Sequence, residues 1–154
     1  MFFMKQLIFT SLFLLLGMAV LAQITDPVKW SYTAKKVAYK TYEVHLTATI
    51  QNNWHLYAQK QPADAINMPT EIVFKKNPLI SFDGVVKEVG KMEVFKDERL
   101  KISANQYANK VDFVQKVKLK GTAKTNIVGT VEYQTCDDKK CLPPKKVDFS
   151  VALN

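Results

Sequence analysis

Arginine is almost missing from this chain of 154 residues: of 22 basic side chains only Arg99 carries a guanidinium. Planar, bidentate recognition of phosphates and guanine edges relies on that fork. The lysines fall in scattered pairs, Lys35-Lys36, Lys75-Lys76, Lys139-Lys140 and Lys145-Lys146, with no interleaved aromatics to stack bases. The net charge of +8 therefore reads as a solvated surface that repels its own copies, and nucleic acid is not an expected partner. Cysteine is nearly absent too, with two residues in all, which excludes a disulfide-dense miniprotein. No long apolar run follows the first 22 residues, so a multi-span membrane protein is excluded. What remains is room for one domain, in a chain 47% apolar and 23% charged, too apolar to be disordered throughout.

The exception to the missing apolar runs is the start. Met1-Phe2-Phe3-Met4-Lys5 is followed by a run from Leu7 to Leu21, with small Val20 and Ala22 where a signal peptidase reads. The run is about 15 residues, short of the roughly 20 that span a bilayer. The pattern predicts a signal peptide over residues 1–22, cleaved after Ala22, and an exported domain over residues 23–154. Disulfides persist in such a compartment.

Beyond residue 27 the dominant period is two. Tyr42, Val44, Leu46, Ala48 and Ile50 alternate with polar partners, as do Trp54, Leu56 and Ala58. Shorter runs carry Ile72 and Phe74, then Leu79-Ile80-Ser81-Phe82. Val111, Phe113, Val117 and Leu119 follow, then Ile127, Val131 and Tyr133, and last Val147, Phe149, Val151 and Leu153. Turn residues at Asn52-Asn53, Asn77-Pro78, Asp83-Gly84, Gly121 and Pro143-Pro144 separate them. No stretch shows a helical stripe. About eight half-buried strands predict an all-β chain, an immunoglobulin-like antiparallel β-sandwich, with a closed barrel as the alternative. Residues 59–69 and 96–109 read as long irregular loops, which in a compact sandwich often carry function.

Cys136 and Cys141 lie between two strands, in Thr135-Cys136-Asp137-Asp138-Lys139-Lys140-Cys141-Leu142-Pro143-Pro144. A hairpin-like turn would bring the sulfurs together. A structural staple is one reading, but a loop of about six residues gains only about 2 kcal/mol in the chain-entropy model. Cys136 continues the polar phase of Glu132 and Gln134, which predicts a sulfur near solvent, and accessible disulfides are the exchangeable ones. Asp137 and Asp138 disfavour a thiolate at Cys136. Lys139, Lys140, Lys145 and Lys146 favour one at Cys141, which makes Cys141 the nucleophile and Cys136 the resolving partner. A metal site would need further ligands. Only His45 and His55 offer imidazoles, on strands expected to lie far from the cysteines.

The run Val131-Glu132-Tyr133-Gln134-Thr135-Cys136, then Cys141-Leu142-Pro143-Pro144, resembles the N-terminal periplasmic domain of DsbD, the transmembrane thiol:disulfide interchange protein. The likeness extends loosely over residues 26–154, and Asn53-Trp54-His55-Leu56-Tyr57 looks like the family's aromatic strand near the active site. The resemblance implies an immunoglobulin-like fold and a reversible disulfide. That disulfide would take electrons from a membrane-embedded thiol reductant and pass them to exported thioredoxin-like proteins, including isomerases and cytochrome c maturation factors, in the periplasm. No cofactor is implied, because the dithiol itself carries the two electrons. Cys141 would form the mixed disulfide, Cys136 would close the ring, and His55 and Tyr57 would line the site. A mobile cap loop with an acidic pair and a phenylalanine would shield the sulfurs. Asp97-Glu98 supplies the pair, Arg99 stands next, and Phe95 takes the aromatic role. His55, Asp97 and Glu98 are candidates to move protons. The rival is a non-catalytic exported binding module with a structural disulfide.

Overall fold

The computed structural model describes residues 26–154, so the leader expected over residues 1–22 lies outside the described residues. The alternation that marked the strands is the alternation of their burial. Along β2 (Thr41–Ile50) the side chains of Tyr42, Val44, Leu46, Ala48 and Ile50 turn inward and their neighbours turn out. β1 (Val28–Ala38) pairs with it antiparallel, from Val28 opposite Ile50 to Ala38 opposite Thr41.

Two sheets result. In the larger, β5 (Ile80–Asp97) and β6 (Ile102–Leu119) form a long hairpin. The other edge of β6 takes β2 along residues 110–118, then the short β3 (His55–Tyr57) at Tyr107 and Gln106. β8 (Thr135–Cys136) adds to the outside of β3. The smaller sheet places β7 (Thr125–Tyr133) between β4 (Glu71–Phe74) and β9 (Lys145–Leu153). All these pairings are antiparallel, and the two sheets face each other as an immunoglobulin-like sandwich rather than a closed barrel.

The core between the sheets is one aromatic and aliphatic cluster. Trp30 packs against Phe113 and Tyr133 at ring separations of 5.9 and 5.4 Å, and Phe149 meets Tyr32 and Phe74 at 5.6 and 5.7 Å. Leu46, Leu56, Phe113, Ile127 and Leu153 are fully buried, and each such side chain contributes about 1.5–3 kcal/mol by leaving water. Within the smaller sheet the strands either side of Gly129 crowd it: a Cβ there would run into the Val73 carbonyl oxygen on β4 and the Phe149 ring on β9.

Two irregularities aim the site. Asn109 adopts φ 63°, and the β5–β6 register passes from Gly90 opposite Val111 to Met92 opposite Tyr107, which leaves extra residues on β6. This bulge separates the part of β6 that holds β2 from the part that holds β3. The second is a change of sheet: the chain leaves β7 at Tyr133 and joins the larger sheet as β8 from Thr135.

Three expectations are corrected. Residues 96–109 are not an irregular loop. Only the tip between Asp97 and Ile102 turns, and the rest is strand. The short run at Leu79–Phe82 does not end at Asp83-Gly84 but continues through a bulge, with Gly84 at φ 78°, to Asp97. β1 was not among the expected strands. The two cases differ: β1 does alternate, with Val28, Trp30, Tyr32 and Ala34 on the core side, though the last three are only partly buried, whereas much of β5, at the opposite edge, has neither face covered. Val85, Val89, Val94 and Phe95 are exposed there, so no inward-outward alternation marks the strand.

Candidate functional site

The two cysteines sit on a small hairpin whose geometry follows from its sequence. Asp137 opens the turn, and its Oδ1 accepts the backbone N–H groups of Lys139 and Lys140 at 2.8 and 2.7 Å. This is the Asx arrangement that makes Asp a preferred first residue of a turn. These backbone bonds hold the Asp137 carboxyl below its ordinary range. Asp137 N–H donates to Lys140 O and Leu142 N–H to Thr135 O, both at 2.9 Å. Cys136 and Cys141 therefore face each other as the intervening non-hydrogen-bonded pair, where side chains come closest. Their Cα atoms are 4.0 Å apart and the sulfurs are joined. Pro143 and Pro144 have no N–H to offer a neighbouring strand, and pairing resumes only with β9 at Lys145.

The sulfurs have unequal surroundings. Cys141 is exposed, whereas Cys136 is 5% exposed and packs with Tyr57 and Ala104 in a small cluster separate from the main core. The expectation of a solvent-facing Cys136 is thus overturned. The change of sheet at Gln134 delivers Cys136 beside β3, where Tyr57, Ala104 and the side chain of Asn67 lie against it. His55 is the register partner of Cys136, contrary to the expectation that the imidazoles lie far from the sulfurs. His45 is elsewhere on the sheet, with Nδ1 bonded to Asp112 Oδ2 at 2.7 Å. Among the described residues no three His, Cys, Asp or Glu side chains gather as metal ligands.

Opposed residues of paired strands share a face. The registers His55 with Cys136, Tyr57 with Gln106, and Phe95 with Ala104 therefore put His55, Tyr57, Phe95 and Cys136 on one face of the larger sheet. His55 is half-buried and Tyr57 is buried. Burial pushes the Tyr57 phenol up, and a hydrogen bond with Asn67 works the other way. Phe95 lies on β5, three strands across from β8, about 14 Å of sheet at ordinary strand spacing, and is 46% exposed. Asp97 and Glu98 stand at the hairpin tip. Asp97 Oδ1 accepts the N–H groups of Arg99 and Leu100, and both carboxylates line a polar cleft with Asp64, Lys96, Lys101 and Ser103. His55 and Tyr57 are gathered at the disulfide. Phe95 and Asp97 share the disulfide's face of the sheet by register, Glu98 follows in the turn, and none of the three is hydrogen-bonded to the disulfide.

Two contributors were not singled out in the sequence. Asn67 extends Nδ2 to Cys136 Sγ at 3.6 Å and to Cys141 Sγ at 3.9 Å. Gln134 accepts Met68 N–H at Oε1 (3.0 Å) and donates from Nε2 to Leu142 O (3.3 Å), linking the Asn67 loop to the cysteine hairpin. The available signal was positional: Asn67 falls in the irregular stretch 59–69, and Gln134 in the run before the first cysteine. Beside Cys141, an apolar groove of about 430 Å³ is lined by Pro27, Tyr133, Leu142, Pro143 and Pro144, with the Lys145–Asp26 ion pair (2.5 Å) at its rim.

No curated protein matches the sequence. Among solved structures, the reduced Neisseria meningitidis DsbD N-terminal domain aligns at 16% identity and TM-score 0.47, covering 85% of this chain and 91% of its own. The N-terminal periplasmic domain of ScsB from Proteus mirabilis aligns at 16% and 0.48, covering 84% of this chain and 49% of its own. The collagen-binding domain of a Staphylococcus aureus adhesin aligns at 8% and 0.44, covering 82% and 97%. The model of a protein family, described as the N-terminal part of the thiol:disulfide interchange protein DsbD, matches residues 25–153. A disulfide with one exposed sulfur fits the thiol–disulfide oxidoreductase chemistry of that family, and this chain belongs to the DsbD N-terminal domain family.

Proposed function

We propose that this domain is an exported carrier of electron pairs, a protein-disulfide reductase. It receives electrons from a membrane-embedded thiol reductant and hands them to thioredoxin-like proteins of the periplasm through the Cys136–Cys141 disulfide. One observation carries the reading: the disulfide lies outside the sandwich core and presents one sulfur, Cys141, to a visiting thiol. A staple meant to hold two sheets would join them, as in antibody domains. This one closes a hairpin within five positions of sequence.

The division of roles follows from exposure and charge together. Attack on a disulfide needs access along the S–S axis, and Cys141 is the sulfur that offers it. The ammonium groups of Lys139 and Lys140 flank it and favour its thiolate. Cys136, sheltered beneath Tyr57, resolves the mixed disulfide from within. His55, adjacent in register to Cys136, is placed to exchange a proton as the thiols form, and Tyr57 fixes the wall of the site. Phe95, Asp97 and Glu98 form the rim of the same side, where the β5–β6 hairpin meets a partner.

The decisive experiment uses Cys136→Ala. With the resolving sulfur removed, an oxidised thioredoxin-like partner should be held as a covalent complex through Cys141. Absence of any such complex, together with a reduction potential below about −300 mV in glutathione buffers, would support a binding module with a structural bridge instead.

A further inference from the structure

The two sulfurs differ in what happens to their charge during exchange. On the reading above, a donor thiolate attacks the exposed Cys141 Sγ. A donor–Cys141 S–S bond forms, the Cys136–Cys141 bond breaks, and its electron pair departs on Cys136 Sγ. A second donor thiolate then attacks the first donor sulfur and releases Cys141. The donor leaves as a disulfide, two electrons stay on the domain, and the two protons from the donor thiols end on Cys136 and Cys141. The negative charge thus appears first on the sulfur that is 5% exposed, among Tyr57 and Ala104. An anion there is stranded from water, a cost that falls on the bond-breaking step unless a donor is already in place.

We propose that Asn67 is that donor: its side-chain amide is a catalytic group that stabilises the thiolate leaving on Cys136 in the first step and the one released on Cys141 in the second. Among the described residues it is the one side chain with a hydrogen bond to Cys136 Sγ, at 3.6 Å, and the same Nδ2 stands 3.9 Å from Cys141 Sγ. A single N–H pair within reach of both sulfurs can follow the charge from one to the other without rearrangement. The amide is held before the reaction begins. The next residue donates its backbone N–H to Gln134 Oε1, and Gln134 Nε2 in turn binds Leu142 O on the cysteine hairpin. Further along the loop, Thr70 Oγ1 donates to Tyr57 O at 2.5 Å, and Ser103 Oγ donates to Asp64 Oδ1 at 2.6 Å. Gln134 is accordingly a positioning residue, fixing donor and sulfurs to one another from a single side chain.

The test uses dithiothreitol as the donor, so that no protein partner enters. In Asn67→Leu, which keeps the branching at Cγ and removes the N–H groups, reduction of the disulfide should slow about tenfold, the weight of one hydrogen bond to a charged group. In a Cys141→Ala background, where the Cys136 thiol titrates alone, the thiolate absorbance at 240 nm should move up by about one pH unit when Asn67 becomes Leu. Asn67→Asp, with a like charge at the sulfur, should move it further. Thermal unfolding identifies folded variants, and should the Leu variant fail to fold, the Asp variant decides alone. Folded variants with wild-type rates within twofold and an unmoved titration overturn the proposal. So does a slowed rate with an unmoved titration, which is what a merely structural role gives. If the wild-type disulfide itself resists dithiothreitol, the exchange reading fails rather than the role of Asn67.

Discussion

Reduction of the Cys136–Cys141 bond with a phosphine separates an exchange site from a staple through its effect on stability. A relay must remain folded in both redox states, so the bond should contribute little. The structure sets the size of the effect. The sequence separation is 5, a loop of about six residues, for which the chain-entropy relation gives about 2 kcal/mol. Nothing in the main core depends on the bond, because Cys136 belongs to the separate cluster with Tyr57 and Ala104. The hairpin keeps its backbone bonds, Leu142 to Thr135 and Asp137 to Lys140, when the sulfurs part. For a domain of this size 2 kcal/mol corresponds to a fall in Tm of roughly 7 °C. Urea unfolding followed by tryptophan fluorescence, with Trp30 and Trp54 as reporters, should show one cooperative transition for each redox state, of similar slope, with midpoints about 1 M apart, which is about 2 kcal/mol divided by a slope of about 2 kcal/mol per M. A reduced domain that is unfolded in buffer, or weakened by more than about 5 kcal/mol, the upper end for structural disulfides, would refute the reasoning and favour the staple.

Labelling should expose the inequality of the sulfurs: Cys136→Ala should react with a maleimide at least about tenfold faster than Cys141→Ala, since thiolate access governs the rate, and equal rates would contradict the burial of Cys136. Gly129→Ala should cost about 1–3 kcal/mol by overpacking against Val73 and Phe149, and an unchanged urea midpoint would mean that β4 and β9 leave more room beside Gly129 than described. Burial holds the phenols of Tyr32, Tyr57, Tyr107 and Tyr133 above their ordinary range, and the Glu88 carboxylate reinforces this at Tyr107. Below the unfolded value near 10 both states keep these protons. Above it the unfolded chain ionises first, so stability should be full at pH 9 and fall steadily beyond pH 10. A flat urea midpoint between pH 9 and 11 would remove that linkage. Phe113→Ala, at the centre of the fully buried core, should cost about 3–5 kcal/mol, and a loss below 1 kcal/mol in the same assay would misplace the core.

Apart from β1, whose core-side Trp30, Tyr32 and Ala34 are only partly buried, the sandwich was legible wherever one face of a strand is covered. Residues 42–50 and 111–119 carry the period of two because their inward sides meet the second sheet, and the same holds for Ile127, Val131 and Tyr133 on β7. Legibility ends where burial ends. β5 is an edge strand, largely bare on both sides, so its residues obey no alternation and the segment resembled a short strand with a turn and a loop. The kink at Asn109 was hidden for a different reason. A left-handed residue within a strand is permitted to asparagine by its side chain, but nothing in the surrounding pattern demands it there.

The cysteine pair was legible because its chemistry is local: turn, spacing and flanking charge all lie within residues 135–146. Its environment was not, because what covers Cys136 comes from 69 positions away in sequence. Periodicity reports which face of a strand avoids the core. It does not report whether some other segment then lies down on that face. Cys136 keeps the phase of Glu132 and Gln134, and the inference of an exposed sulfur followed correctly from that phase. It failed because the chain changes sheets between Tyr133 and Thr135, and an outward position on the small sheet becomes a roofed one on the large sheet. The correction strengthens the assignment it touched. With both sulfurs exposed, only the charges of Lys139 and Lys140 would distinguish them, and exposed charges act weakly through water and salt. With one sulfur covered, access alone supports the role proposed for Cys141.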